Sequence, residues 1–375
     1  MQLSTVHVLA CSVLLSSCVA LRPGSPLYSQ GAPRKEQRAC SRGAFQGNAV
    51  VRTAADAAAF EGYSEISGNL EILARDLRDL RHFACLHTVG GVSIESSSSL
   101  QSLSGLEGLT TIRSGLEISR NQSLSSLAGL EGLTSLVRFV ITDNDALVDL
   151  DGLRNLRDVF VLEFSENDAL AQLRGLRSLR YVEVLHLFRN PALTTVDGLT
   201  SLSSANEIWI TENPAMTELR GMNALTAVGR IEVSANSGLR EIVGLSSLNT
   251  VGALSISQNP RLTSLRGLSH LTVVEEELTI YQNPALQHLT GLDQLGYCRS
   301  LGVWENAALT ALTGLGMLGR ARDVDISSNP RLSSLSGLSA LTEVEGELRL
   351  NDNTVPSAEV EALTRRLGRA TLAPR

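Results

Sequence analysis

The chain has 375 residues, 43% of them hydrophobic but only 4% aromatic, so leucine must supply most of any core. Its formal net charge of −7 excludes the basic face on which nucleic-acid binding depends.

Residues 6–19 form an uncharged, largely apolar run that is too short to span a bilayer. The run predicts a secretory signal peptide over 1–17. Leu15, Ser16, Ser17 and Cys18 resemble the bacterial lipobox, which implies that Cys18 is lipidated and holds the mature chain to a membrane. Residues 18–39 then read as the lipid-attachment site and a flexible tether, being rich in Pro, Gly, Ser, Gln and charge without an apolar period.

An N-terminal cap is expected over 40–69. Residues 48–52 can form a strand, and Thr53 followed by Asp56 has the pattern of a helix N-terminal box. From 70 to 353 one unit repeats. Asparagines stand at 121, 144, 167, 190, 213, 236, 259, 283, 306, 329 and 353, at a spacing of 23 or 24, and Ser97 holds the same place one turn earlier. Eight residues after Ser97 and each asparagine up to Asn329 comes a glycine, from Gly105 to Gly337.

In the turn from 254 to 276, Leu254 and Ile256 alternate inward as in a short strand, and Asn259-Pro260 turns the chain. Leu262, Leu265, Leu268, Leu271 and Val274 then complete the inward set. One turn cannot bury these seven apolar positions, whereas stacked turns bury them continuously. The strands are predicted to begin at Leu70, Val92, Leu116, Phe139 and their equivalents up to Leu348. Each asparagine is expected to hydrogen-bond backbone in its own and the next turn. Each glycine is expected to take a positive φ or to admit a close backbone approach. Three turns carry an extra residue, always just before the strand, at Arg113-Ser114-Gly115, Glu275-Glu276-Glu277 and Glu345-Gly346-Glu347. The fold class is therefore a β-rich solenoid of about 12–13 turns of 23–24 residues, closed by short capping helices. The second of these lies in 354–375, where Val360, Leu363 and Leu367 share one helical face.

The recurring L-x-I-x-x-N-x-x-L-x-x-L-x-G-L-x-x-L-x-x-V is similar to leucine-rich repeats. With the entry segment Ile66-Ser67-Gly68-Asn69-Leu70-Glu71-Ile72, it resembles the receptor L-domain family more closely. Leucine follows asparagine by three positions, as in Asn259 to Leu262, which implies the right-handed parallel β-helical turn of that family. The resemblance implies recognition of a protein or glycan and fixes no activity.

Cys298 takes a place that Val251 and Val274 fill in neighbouring turns and reads as a buried core thiol. Cys40, in the cap, and Cys85, at an outward place equivalent to Gly108, form a candidate disulfide that would staple the cap to the first turns of an exported protein. His82, Cys85 and His87 match no zinc spacing, so no metal is expected. No Ser–His–acid set or phosphate loop stands out, so neither catalysis nor a cofactor is expected.

The outward strand positions form columns of mostly small or polar residues, interrupted by aromatics. His186, Phe188 and Trp209 make one candidate ligand-binding group, ringed by Glu163, Glu166, Glu207, Glu212 and Glu232. Tyr281 and Trp304 make another, roughly 20 Å away by strand count. These features predict a non-catalytic, extracytoplasmic binding module. It would be a lipoprotein facing periplasm or cell surface, with a protein or glycan ligand, no nucleic acid, and membrane contact only through Cys18. A structural envelope spacer and an inhibitor of a secreted enzyme are the alternatives.

Overall fold

Each turn contributes one main strand, and every strand pairing among the described residues is parallel. One sheet of 18 strands and strand fragments runs through all the turns. The computed structural model describes residues 40–368 and the backbone of Thr371–Leu372. The signal peptide, Cys18 and the tether up to residue 39 lie outside the described residues. The architecture is a parallel β-solenoid of about 13 turns.

Register follows the repeat. Leu185, Ile208, Ile231, Leu254, Leu278 and Leu301 stand opposite one another in consecutive strands. The seven apolar residues of the turn from 254 to 276 are all buried, and their equivalents join one continuous core. Each such leucine contributes roughly 1.5–3 kcal/mol by leaving water, which is why a core poor in aromatics suffices.

The strands are longer than the sequence indicates. Thr250–Ser257 has eight residues, with Val251, Leu254 and Ile256 all inward. The interval of three between Val251 and Leu254 breaks the two-residue alternation, so the first half of the strand reads as the end of a connection. The extra residues fall at this same point. They split the strand into Thr111–Ile112 and Leu116–Ser119, shift register between Val274 and Glu277, and separate Glu343–Val344 from Glu347–Arg349.

Beyond each strand the asparagines form a buried ladder that joins turn to turn. Asn213 accepts from the backbone N–H of Asn190 (3.1 Å) and donates Nδ2–H to Leu187 O (2.9 Å) and Thr211 O (3.0 Å). The side chain thus bonds backbone of its own turn and the preceding one, and it reaches the next turn at the side chain of Asn236 (3.4 Å), where the sequence suggested backbone.

The residue before each of the eleven asparagines, and Ser96 before Ser97, is left-handed, with φ between 51° and 58°, and none of these twelve residues is glycine. A left-handed L-residue costs roughly 1–2 kcal/mol, which the ladder must offset.

The repeat glycines use both of the expected solutions. Gly129 has φ 114°, and its N–H is held by Glu131 Oε2 at 2.9 Å. Gly198 lies in the 3-10 turn Asp197–Leu199, where a Cβ would fall 1.7 Å from the carbonyl oxygen of Leu173.

Both ends are capped. The helix α1, Ala54–Ala58, starts at a Thr53/Asp56 capping box, and Cys40 is disulfide-bonded to Cys85. Cys85 is buried at this junction, not outward as its sequence position suggested. At the other end the helix α2, Ser357–Leu367, packs Leu363 and Leu367 into the core, with Val360 partly buried against it.

Candidate outer-face binding surface

The outward positions align in columns as predicted: Glu163, His186, Trp209 and Glu232 are neighbours on adjacent strands, as are Ser165, Phe188, Thr211 and Ser234. The second column is less solvated than its composition suggests. Ser119, Ser165, Ser234 and Ser257 are buried, and neighbouring hydroxyls bond across turns, as between Thr142 and Ser165 at 2.7 Å.

The structure brings His186 and Trp209 together edge to face, with ring centroids 5.9 Å apart. The Trp209 indole donates Nε1–H to Glu207 Oε2 at 3.1 Å. Phe188 turns instead toward Arg189, whose guanidinium lies 4.7 Å from its ring centre. Arg189 bridges Glu212 at 2.7 Å and Glu166 at 3.5 Å; these partners, Glu212 foremost, raise its pKa.

Tyr281 and Trp304 stack at 5.2 Å with planes 16° apart. The Trp304 ring also covers Gly302, where a Cβ would meet it at 1.9 Å. All five aromatic-group residues are half-buried, and the two groups remain separate on the face.

An apolar continuation was not anticipated from the sequence. Phe160 is 52% exposed and Val137 53%, and both stand at the step between the register pairs Leu136–Val159 and Arg138–Val161. The half-buried Val161 and Val184 are paired beside them and lead to His186 and Trp209. These residues lie in the half of the strand that the broken alternation concealed.

Four carboxylates punctuate this strip. Glu163 accepts from Ser165, Glu207 from Trp209, Glu232 from Ser234, and Glu183 from both Tyr181 and Asn206. The Glu183 bond raises the Tyr181 pKa by favouring the protonated phenol.

Toward the N-terminus the strip gives way to the ion pair of Arg138 and Glu117, 3.5 Å. Beyond it lies a hollow of about 460 Å³ whose lining includes Asn69, Glu71, Ser93 and Ser114 together with Gly91 and Gly115.

No group of three or more His, Cys, Asp or Glu residues suited to a metal occurs among the described residues. Cys85 of the His82, Cys85, His87 grouping is committed to its disulfide.

The repeat and its stacked parallel strands define a leucine-rich-repeat solenoid. In solved structures the chain is similar to an internalin from Listeria monocytogenes, at 18% identity over 76% of this chain and 82% of that one, with a TM-score of 0.33. It is also similar to a leucine-rich-repeat protein from Leptospira interrogans, at 14% identity over 87% and 99% of the two chains, TM-score 0.25. A third is a leucine-rich-repeat protein from Bacteroides ovatus, at 13% identity over 82% and 83%, TM-score 0.18. A scan against protein-family models finds no match, and neither does a search of curated protein sequences.

Proposed function

We propose that the chain is a non-catalytic, extracytoplasmic module that binds a protein partner on the outer face of its sheet. The observation that carries this reading is the patch formed by Val161, Val184, His186 and Trp209 with the exposed Phe160. Apolar and aromatic side chains grouped on an otherwise polar surface are typical of an interaction site, and solvation alone gives no reason for them. Exposed aliphatic side chains favour a protein over a glycan, whose hydroxyls would lose hydrogen bonds against them. Export is supported by the apolar run at 6–19 and by the Cys40–Cys85 disulfide, a bond that oxidising compartments preserve. Lipidation at Cys18 would hold the module to a membrane, at the periplasmic or cell-surface side.

The test is capture from the native cell envelope, comparing the wild-type chain with Trp209→Ser. A discrete protein retained by the first and lost with the second supports the reading; equal retention by both removes it.

A second reading, the spacer, is favoured at one place. The packing of Trp304 on Gly302 and Tyr281 gives that pair a bracing role in the sheet without any ligand.

A further inference from the structure

The solenoid treats its carboxylates in two ways. Along much of the chain they are neutralised across turns by arginine: Glu65 by Arg113, Glu117 by Arg138, Glu166 and Glu212 by Arg189, and Glu241 by Arg266. Glu163, Glu183, Glu207 and Glu232 form no such pair among the described residues. Their partners are two hydroxyls for Glu163 and Glu232, a phenol and an amide for Glu183, and an indole for Glu207. A neutral donor fixes where a carboxylate points without cancelling its charge. Four full negative charges are thus held in set positions on consecutive turns, interleaved with Phe160, Val161, Val184 and Trp209. Arg138 and Arg189, which flank the strip, are already engaged, and Arg230 stands opposite Glu207 in the register and two residues before Glu232, with no ion pair to either among the described residues.

We infer that this strip is built for a polypeptide segment in which apolar side chains alternate with lysine or arginine. The inference rests on the outer face being the binding surface and specifies its partner. Apolar side chains of such a segment would cover Phe160, Val161 and Val184, while its cations would reach carboxylates whose orientation needs no further ordering. Preorganised acceptors of this kind reduce the entropic cost of binding and set partner choice by charge. A second copy of the chain is disfavoured as the occupant. An isologous contact sets a patch against itself, so these four carboxylates would meet their own equivalents in a chain of net charge −7.

The test uses the intact exported chain and dye-labelled twelve-residue peptides read by fluorescence anisotropy. One peptide alternates leucine with lysine, and a control alternates leucine with glutamate. The lysine peptide is expected to bind, more weakly as salt rises, and the glutamate peptide not to bind. Affinity should fall about tenfold in Glu183→Gln/Glu207→Gln and in Phe160→Ser, and stay unchanged in Glu275→Gln/Glu277→Gln, which removes as much charge elsewhere on the same sheet. Circular dichroism would establish that each variant keeps its fold.

No binding of the lysine peptide, or equal loss in the control variant, overturns the inference, as does a dimer in sedimentation that Phe160→Ser dissolves. Capture of a protein partner through Trp209 can succeed even then. The general reading and this specific one therefore fail separately.

Discussion

The indole of Trp304 lies over the α-carbon of Gly302, in the space where a side chain on that residue would stand. Two residues apart on one strand, they act as a unit: the absent side chain makes room for the ring, and Tyr281 on the adjacent strand closes the stack at 5.2 Å. Gly302→Ala should displace the ring into solvent. Fluorescence of the Trp209→Phe background, which leaves Trp304 as the only tryptophan, should shift to the red; an unchanged spectrum would refute the packing described.

The asparagine ladder predicts a large penalty at one residue. Asn213→Ala strips hydrogen bonds from Asn190 N–H, Leu187 O and Thr211 O, the first two belonging to the preceding turn. Leaving buried backbone groups unsatisfied costs about 1–3 kcal/mol each, so a total of about 3–5 kcal/mol is expected, read from the urea midpoint. A loss under 1 kcal/mol would mean that neighbouring turns supply the missing partners, on the same scale.

Ala235 predicts the opposite sign. It is left-handed at φ 55°, immediately before Asn236. Glycine removes the steric cost of that conformation and offsets part of the gain by its greater unfolded entropy. Ala235→Gly should therefore stabilise the chain by up to about 1 kcal/mol, while Ala235→Val destabilises it. Thermal denaturation of both variants reads the pair of signs together.

Cys298 carries a pH dependence. Burial pushes its pKa up from the ordinary 9.0 to about 12, against smaller opposing hydrogen bonds to backbone at Leu278 and Ser300. A raised folded pKa means that the folded state holds the proton more tightly than the unfolded one. The stability this provides is fully present below pH 9 and is lost as pH climbs toward 12. Wild type should lose more stability over that window than Cys298→Ala, and native Cys298 should resist alkylation at pH 8.

Reduction of the Cys40–Cys85 bond releases a loop whose ends are 45 residues apart. A cost of about 2–5 kcal/mol is expected, localised to the N-terminal cap. Hydrogen exchange should quicken in residues 40–72 and leave the turns around Asn259 protected.

Much of this architecture is legible in the sequence because one turn is written many times. Leu254, Ile256, Leu262 and the rest recur at fixed offsets from an asparagine, and register then follows by stacking. The strand's first half is hidden for a physical reason. Val251 and Leu254 both point inward across a bend, so the period of two fails where the strand is continuous. The same bend hides Phe160 and Val137, leaving the binding strip only half readable from His186 and Trp209. The left-handed positions escape because serine, arginine, aspartate, glutamate, alanine and glutamine all occupy them. The constraint there is imposed by the following asparagine and leaves no mark on the residue that bears it. The disulfide was legible from two cysteines and a compartment, but the burial of Cys85 depends on the cap lying over it.

The central claim, that a protein partner docks on the outer face, is tested most directly by a photo-crosslinking residue placed at Trp209 and, separately, at the exposed Ser333 in the segment between strands, in the native host. One discrete protein crosslinked from position 209 and absent from position 333 is the predicted result. No adduct at 209, or the same adduct from both positions, would contradict it.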